Sequence, residues 1–385
     1  MIRKITFSNF YSFKDKQTLD FTTTKKKGDN YYQTFDGKQI SKVVAFLGPN
    51  NSGKTNVIKV LGFIDYFLTT PNRWSEKNDL GFKSYAFCDE GPSSFYIEFE
   101  TSDRLYFYTL EATTECVLTE TLSAKKLVKS ARKYEVFSRV KNKITLNKKV
   151  ISGVTKQSLE NIRDDVSLIS FLKSGYKIDE ILKVSDYFED FRTNINEIGK
   201  HDSPEDRIGF VARAYEQFPE LKNAMEEFLI DFDLGIEGFT ISKTNEKYSV
   251  SAIHKVGNKK YDLPLLYESR GTKSLFVELL SIMISIAEGT VLALDEIETG
   301  LHPQAVDKLI QYIVDSFANE KKQFIFASHS LNFMKKYDAQ QMFLVEKNDN
   351  KSEVFRLDEM DIRPDENFYA KYMSGVYGAF PKIRV

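Results

Sequence analysis

Apolar and polar positions alternate from the start of the chain, through Ile5, Phe7 and Phe10 and again through Leu19 and Phe21. That period of two predicts a strand hairpin over residues 1–22, followed by a polar turn at 25–30. Residues 42–47 (Lys-Val-Val-Ala-Phe-Leu) are a short apolar run suited to a buried strand, and Val57, Ile58, Val60, Leu61, Ile64 and Phe67 then recur at helical spacing. Residues 94–145 read as a β-meander with segments at 95–99, 105–108, 116–118, 134–137 and around Ile144. From 158 to 232 the pattern turns helical, with Ile169, Phe171 and Leu172, and later Met225, Phe228 and Leu229, on apolar faces. Short strands return at 238–241, 248–253 and 263–266. The remainder alternates: helix 272–287, strand 290–294, helix 303–318, strand 323–327, helix 331–336, strand 341–345. No internal repeat or low-complexity tract interrupts this order. The meander and the helical stretch therefore split an α/β domain into two parts distant in sequence.

The turn between the first buried strand and its helix is Gly48-Pro49-Asn50-Asn51-Ser52-Gly53-Lys54-Thr55, the phosphate-loop pattern G-x4-G-K-[ST] in the strand–turn–helix context it needs. Backbone N–H groups across Asn50, Asn51, Ser52 and Gly53 and the helix N-terminus converge on phosphate oxygens, where the helix dipole favours negative charge. Lys54 would neutralise the β- and γ-phosphates, and Thr55 would offer its hydroxyl to Mg²⁺.

A second apolar strand, Val291-Leu292-Ala293-Leu294, ends in Asp295-Glu296. Carboxylates at the C-terminal edge of a buried parallel strand sit where open α/β sheets bind ligands. Asp295 would hold Mg²⁺ directly or through water, and Glu296 would orient or deprotonate the attacking water. Gly300 then permits a sharp turn, and Pro303 suits the first turn of the next helix. A further strand ends at His329, whose neutral imidazole could bond a γ-phosphate. Upstream, Ser269-Arg270-Gly271 stands at a helix N-terminus. It is a plain helix cap by itself and a second anion site in company: a hydroxyl, exposed N–H groups and no Cβ at Gly271.

Composition narrows the class. The chain has 385 residues, enough for one large domain or two moderate ones, and a net charge of −1, so its overall charge does not advertise nucleic-acid binding. No apolar run approaches the roughly 20 residues that cross a bilayer, and the start is an alternating strand, not a signal peptide. The cysteines Cys88 and Cys116 are too few for a disulfide framework or metal site, and His201, His254, His302 and His329 show no ligand spacing. A reduced, cytoplasmic protein is expected.

The ordered set of phosphate loop, Ser-x-Gly, Asp295-Glu296, Gly300-Leu301-His302-Pro303 and Ser328-His329-Ser330 resembles the RecF/SMC/OLD-like branch of ABC ATPases. The opening Asn9-Phe10-Tyr11-Ser12-Phe13 adds to the resemblance. The closing 372–381 segment (Tyr-Met-Ser-Gly-Val-Tyr-Gly-Ala-Phe-Pro) is similar to compact bacterial anti-phage ATPases of the PARIS AriA and RloA types. The resemblance covers roughly 1–122 and 236–385 and is weak between them. It implies an α/β ABC-type ATPase head, a mixed sheet with flanking helices and an antiparallel β-subdomain, interrupted by a small β/helical insertion over 123–235. It implies ATP and Mg²⁺ as cofactors, with Lys54, Thr55, Asp295, Glu296 and His329 acting in cis. Ser269 and Gly271 would complete the site of another copy, making a homodimer or higher homo-oligomer through the ATP sites. The sequence departs from the branch twice. No glutamine stands between Gln39 and Gln157, leaving the usual Q-loop ligand unassigned, and no Toprim nuclease domain is expected after the last strand.

Residues 125–149 carry ten Lys/Arg against one acid, Glu135. They form a surface for nucleic acid, a dock for an acidic partner, or a solvated hairpin whose lysines guard against edge pairing. Residues 176–233 run acidic (Asp179, Glu180, Asp186, Glu189, Asp190, Glu226, Glu227, Asp231, Asp233) and read as an amphipathic arm packing on itself or on a second subunit. The expected function is an ATP-hydrolysing switch of an anti-phage defence system that senses infection and controls a separate toxic effector, a nuclease by preference, with no membrane partner. The alternatives are a RecF-like DNA-binding ATPase of repair or replication, and the motor subunit of a membrane transporter, against which the missing glutamine and the opening strand both argue.

Overall fold

The computed structural model describes all residues except 25–27, 71–78, 88–90, 161, 196–202, 232–234, 246, 364–365 and 381–385. Cys88, His201, Asp233, Pro381, the side chain of Asp231 and the first half of the 25–30 turn thus lie outside the described residues.

A six-stranded sheet organises the molecule. From edge to edge it runs Phe191–Thr193, Val291–Leu294, Gln323–Ser328, Val43–Leu47, Met342–Asn348 and Lys351–Arg356. The first five strands are parallel and the last turns back antiparallel. Strands Val43–Leu47, Val291–Leu294 and Gln323–Ser328 are buried along their whole length, as parallel strands covered on both faces must be.

Side chains leave these strands alternately to two separate cores. Val44, Phe46, Ala293, Ile325, Ala327 and Val345 enter one core, together with the helices Lys54–Thr69, Leu168–Gly175 and Asp179–Glu189. Val43, Ala45, Leu47, Leu292, Leu294, Phe324 and Phe326 enter the other, under the helices Pro204–Gln217, Pro219–Asp231, Arg270–Ala287 and Pro303–Phe317. A seven-stranded antiparallel sheet backs the first core in the order Lys143–Leu146, Tyr134–Val140, Val117–Lys126, Arg104–Ala112, Ser93–Glu100, Ile2–Ser8, Gln17–Asp20. The opening hairpin pairs Ile5 with Leu19, as its alternation predicts. A three-stranded sheet, Ile236–Thr244, Lys247–Val256 and Lys259–Pro264, adjoins the second core. The architecture is thus α/β, a mixed sheet with helices on both faces and an antiparallel β-subdomain.

The middle of the chain is woven into this frame. Strand Val117–Lys126 runs through position 122 without a break, and Phe191–Thr193 forms an edge of the central sheet. The acidic helices do not project as an arm. Ile181, Val184, Tyr187 and Phe188 pack into the first core, and Val211, Tyr215, Met225, Phe228 and Leu229 into the second. Their apolar stripes face the molecule's own sheet, so neither self-packing nor a second subunit is needed to cover them. Residues 331–336 form a 3₁₀ turn, Leu331–Lys335, rather than an α-helix.

The basic hairpin needs a similar correction. Arg139 is 2% exposed and donates to Val166 O at 2.7 Å, Arg163 O at 2.9 Å and Lys141 O at 3.2 Å, with Glu120 Oε2 3.8 Å away. Glu120, itself fully buried, also accepts from Ser167 Oγ at 2.8 Å and Leu168 N at 2.9 Å. Arg139 is therefore an internal strut. The solvent-facing cations are Lys126, Lys129, Arg132, Lys133, Lys141, Lys143, Lys148 and Lys149.

Candidate functional site

The turn after Val43–Leu47 is built from glycines that nothing larger could replace. A Cβ on Gly48 (φ +156°) would stand 2.2 Å from Val345 O, and one on Gly53 (φ +114°) 2.6 Å from Ser352 Oγ and 2.9 Å from Ser12 Oγ. Ser12 belongs to the Asn9–Phe13 motif. Its aromatics lock a tight turn: Phe10 and Phe13 exchange backbone hydrogen bonds at 2.8 Å, and Phe7, Phe10, Phe63, Phe82 and Phe95 pack edge to face and tilted. That turn delivers Ser12 Oγ to the loop, where it accepts from Asn56 Nδ2 at 2.9 Å and lies 2.8 Å from Ser352 Oγ, itself 2.6 Å from Ser52 O.

The loop opens on a cavity of about 450 Å³ lined by Asn50, Asn51, Ser52, Gly53, Lys54, Thr55, Asn56, Asp295, Glu296, Glu298, Thr299 and His329. The two sequence stretches singled out for phosphate and carboxylate chemistry therefore meet. Lys54, largely buried, donates to Gly48 O and Pro49 O, both at 2.9 Å, and its Nζ lies 3.2 Å from His329 Nδ1. Burial pulls the Lys54 ammonium down to about 8, against the attraction of Asp295, Glu298 and Glu296. His329 is held below the ordinary imidazole value by burial and by Lys54.

Glu298, to which the sequence assigned no role, fixes the histidine. Its carboxylate accepts from His329 N at 2.5 Å and from Ser328 Oγ at 2.8 Å. The signal was present in the spacing: Glu296 and Glu298 alternate beyond the strand end. Glu296 itself is exposed and adopts φ +47°, with Thr299 Oγ1 donating to its carbonyl at 2.9 Å. A left-handed backbone at a non-glycine residue is uncommon and marks a carboxylate aimed by its backbone.

Asn194 is the second residue that sequence reasoning missed. It follows the edge strand Phe191–Thr193, is 2% exposed, and clamps the backbone of Asp295. Nδ2 donates to Asp295 O at 3.0 Å, and Oδ1 accepts from Asp295 N at 2.8 Å. With its amide engaged on both sides, Asn194 positions the backbone of Asp295. A three-residue strand inside a helical stretch gives no periodicity from which to find it.

Ser269 and Gly271 do not line this cavity. Ser269 is exposed and caps Arg270–Ala287, accepting from Thr272 N at 3.1 Å. Gly271 packs on the turn after the carboxylates: a Cβ there would stand 2.1 Å from Gly300 O, and one on Gly300 (φ +74°) 2.8 Å from Gly271 Cα. The N-terminus of this helix thus lies against the turn at Gly300, and neither Ser269 nor Gly271 is among the residues that line the cavity.

Among the described residues no group of three or more His, Cys, Asp or Glu is placed to hold a metal ion by itself. Thr55 and Asp295 do present hard oxygen donors to one cavity. That set suits Mg²⁺, which takes one or two protein oxygens and completes its shell with phosphate oxygens and water. No described helix is long and apolar enough to cross a membrane.

The model of a family described as "AAA domain, putative AbiEii toxin, Type IV TA system" matches residues 43–335, well over half of the chain. Curated proteins give no match. Among solved structures, the SMC head domain from Thermotoga maritima is similar with TM-score 0.42 and 15% identity, covering 92% of this chain and 98% of that one. The SmcHead bound to the C-winged helix domain of ScpA gives 0.47 and 15%, covering 93% and 98%. The Smc head domain with an extended coiled coil, bound to the C-terminal domain of ScpA and derived from Pyrococcus furiosus, gives 0.44 and 14%, covering 98% and 99%.

Proposed function

The chain belongs to this AAA-domain family, and from that premise we propose that it is an ATP-binding and hydrolysing switch whose site is closed by a second copy. One observation carries the reading: Lys54, Thr55, Asp295, Glu296 and His329, drawn from both ends of the chain, line a single cavity. ATP with Mg²⁺ would bind there, the metal serving to neutralise phosphate charge when present. The loop N–H groups and Lys54 would hold the β- and γ-phosphates. The His329 ring would meet the γ-phosphate, while Glu298 holds the backbone N–H of that histidine. Glu296 would orient and deprotonate water. Phosphoryl transfer depends mainly on positioning and charge neutralisation, and these residues supply both. The exposed Ser269, at the helix N-terminus that buried Gly271 seats against Gly300, would complete the cavity of the other copy.

The biological reading follows from the same architecture. We propose that ATP-dependent assembly couples the sensing of phage infection to a separate toxic effector, a nuclease by preference. The family's description, a toxin of a toxin–antitoxin system, supports a role in arresting growth. The eight exposed cations of the hairpin are the surface proposed for nucleic acid. Purified protein should hydrolyse ATP, and the Glu296→Gln variant should double in mass by light scattering when ATP is added. Absence of ATP binding and of any ATP-dependent change in mass, with a Lys54→Ala protein still protecting cells from phage, would overturn the proposal.

A further inference from the structure

The closing segment of the chain, with no part in the phosphate chemistry, is folded against the phosphate loop with some care. Tyr372 OH donates to Ala379 O at 2.6 Å, and Ala379 N donates to Glu346 Oε2 at 3.0 Å. Gly375, Gly378 and Ala379 all take positive φ to make the turn. Glu346 lies on Met342–Asn348, the strand beside Val43–Leu47, so these bonds seat the segment alongside the loop. Between segment and loop runs an open groove of about 1080 Å³. Asn50, Asn51, Ser52 and His329 line both this groove and the phosphate cavity, and Thr55 and Asn56 line only the cavity. The groove therefore adjoins the site on its His329 side, away from the first turn of the loop's helix. Its far wall carries Met373 (47% exposed) and Phe380, with Val376 (59% exposed) beside them.

An exposed apolar pair stands just before Ser269. Leu266 (61% exposed) and Tyr267 (78% exposed) precede Ser269 by three and two residues. Two residues of chain span at most about 7 Å, so wherever Ser269 is carried, the Tyr267 ring is carried within one side chain's reach. Exposed Arg270 travels with them, and the groove carries the acids Glu346 and Asp349.

We infer that Tyr267 of a second copy seats in the groove between the phosphate loop and the closing segment, so that the C-terminal turn is the receptor that aligns the incoming Ser269. The inference rests on the closing of the site by a second copy, and names the contact that makes this closure specific. Burial of an aromatic ring between Met373 and Phe380 would make Tyr267 an anchor of the interface, in the manner of buried tyrosines at protein–protein contacts.

The test is a pairwise crosslink in a Glu296→Gln, Cys88→Ser, Cys116→Ser background. One protein carries Tyr267→Cys and an affinity tag, the other Met373→Cys. They are mixed with and without ATP and Mg²⁺ and treated with a short bismaleimide, while light scattering follows the mass. The expected result is an ATP-dependent crosslink, accompanied in Tyr267→Ala by at least about a tenfold weaker ATP-dependent association. ATP-dependent doubling of mass with no crosslink, and with Tyr267→Ala associating normally, overturns the inference and leaves the second-copy reading intact. No ATP-dependent change of mass overturns both.

Discussion

Asn194 and Asp295 lie 101 residues apart in sequence and exchange two hydrogen bonds, Asn194 Nδ2 to Asp295 O at 3.0 Å and Asp295 N to Asn194 Oδ1 at 2.8 Å. The arrangement copies the pairing of a strand residue with its neighbour, and it fixes the backbone of the proposed metal-binding carboxylate. Replacing Asn194 by Ala leaves a buried N–H and C=O unpaired, a loss of about 1–3 kcal/mol. Turnover in Asn194→Ala should fall at least about tenfold, while nucleotide affinity changes by less. Steady-state hydrolysis set beside fluorescent-nucleotide binding separates the two; an equal loss in both would deny Asn194 its positioning role.

Glu296 is exposed at the cavity and held at φ +47°. Glu296→Gln preserves size and hydrogen-bonding reach and removes the base. Hydrolysis should slow by about 10²–10⁴-fold with ATP affinity retained, giving a long-lived ATP-bound assembly. Unchanged turnover in a single-turnover assay would take the water-activating role from this residue.

Lys54 lies at about 8, below the ordinary lysine value of 10.5, because it is buried. Phosphate oxygens favour the charged form, so binding ATP should raise the value and take up a proton at pH between the two. Linkage then fixes the sign: ATP affinity falls as pH rises through about 8 and upward. Calorimetry at about pH 8.5 in two buffers of different ionisation enthalpy should report net proton uptake, and Lys54→Met should abolish it.

Gly271 meets Gly300 so closely that an added methyl would lie 2.1 Å from a carbonyl oxygen. Backbone cannot yield as a flexible side chain can, and Gly271→Ala should cost about 1–3 kcal/mol in overpacking. Thermal unfolding should show it as a lowered midpoint, and hydrolysis should fall as well, because the same turn carries Thr299 at the cavity wall.

Arg139 and Lys143 are both basic hairpin residues, one internal and one exposed. Arg139→Ala strands Glu120 without its charged neighbour and should destabilise the fold by about 3–5 kcal/mol. Lys143→Ala should change stability by no more than about 0.5 kcal/mol. Denaturant titrations of the two variants give the comparison directly.

Much of this is legible in the sequence. Val43–Leu47, Val291–Leu294 and Gln323–Ser328 are readable because buried parallel strands are apolar throughout, and the turn at 48–53 because its glycines answer a backbone requirement. Asn194 was not readable, since its function is conferred by a partner 101 positions away and its strand is too short to carry a pattern. The buried place of Arg139 is hidden for a related reason. Charge counted along a sequence does not say which side of a strand a residue takes, and the carbonyls of Arg163 and Val166 that receive it belong to a later loop. The packing of the acidic helices is not legible, because amphipathicity reveals that a face is covered and not by what.

The weaving of the middle third into both sheets sets a rule for anyone building chimaeras of this protein. A graft that exchanged 123–235 for the corresponding piece of a relative would cut a strand at its midpoint and carry off an edge of the central sheet with Asn194. Viable joints lie elsewhere, in turns between complete strands, and a donor piece must bring a compatible amide to the same spot.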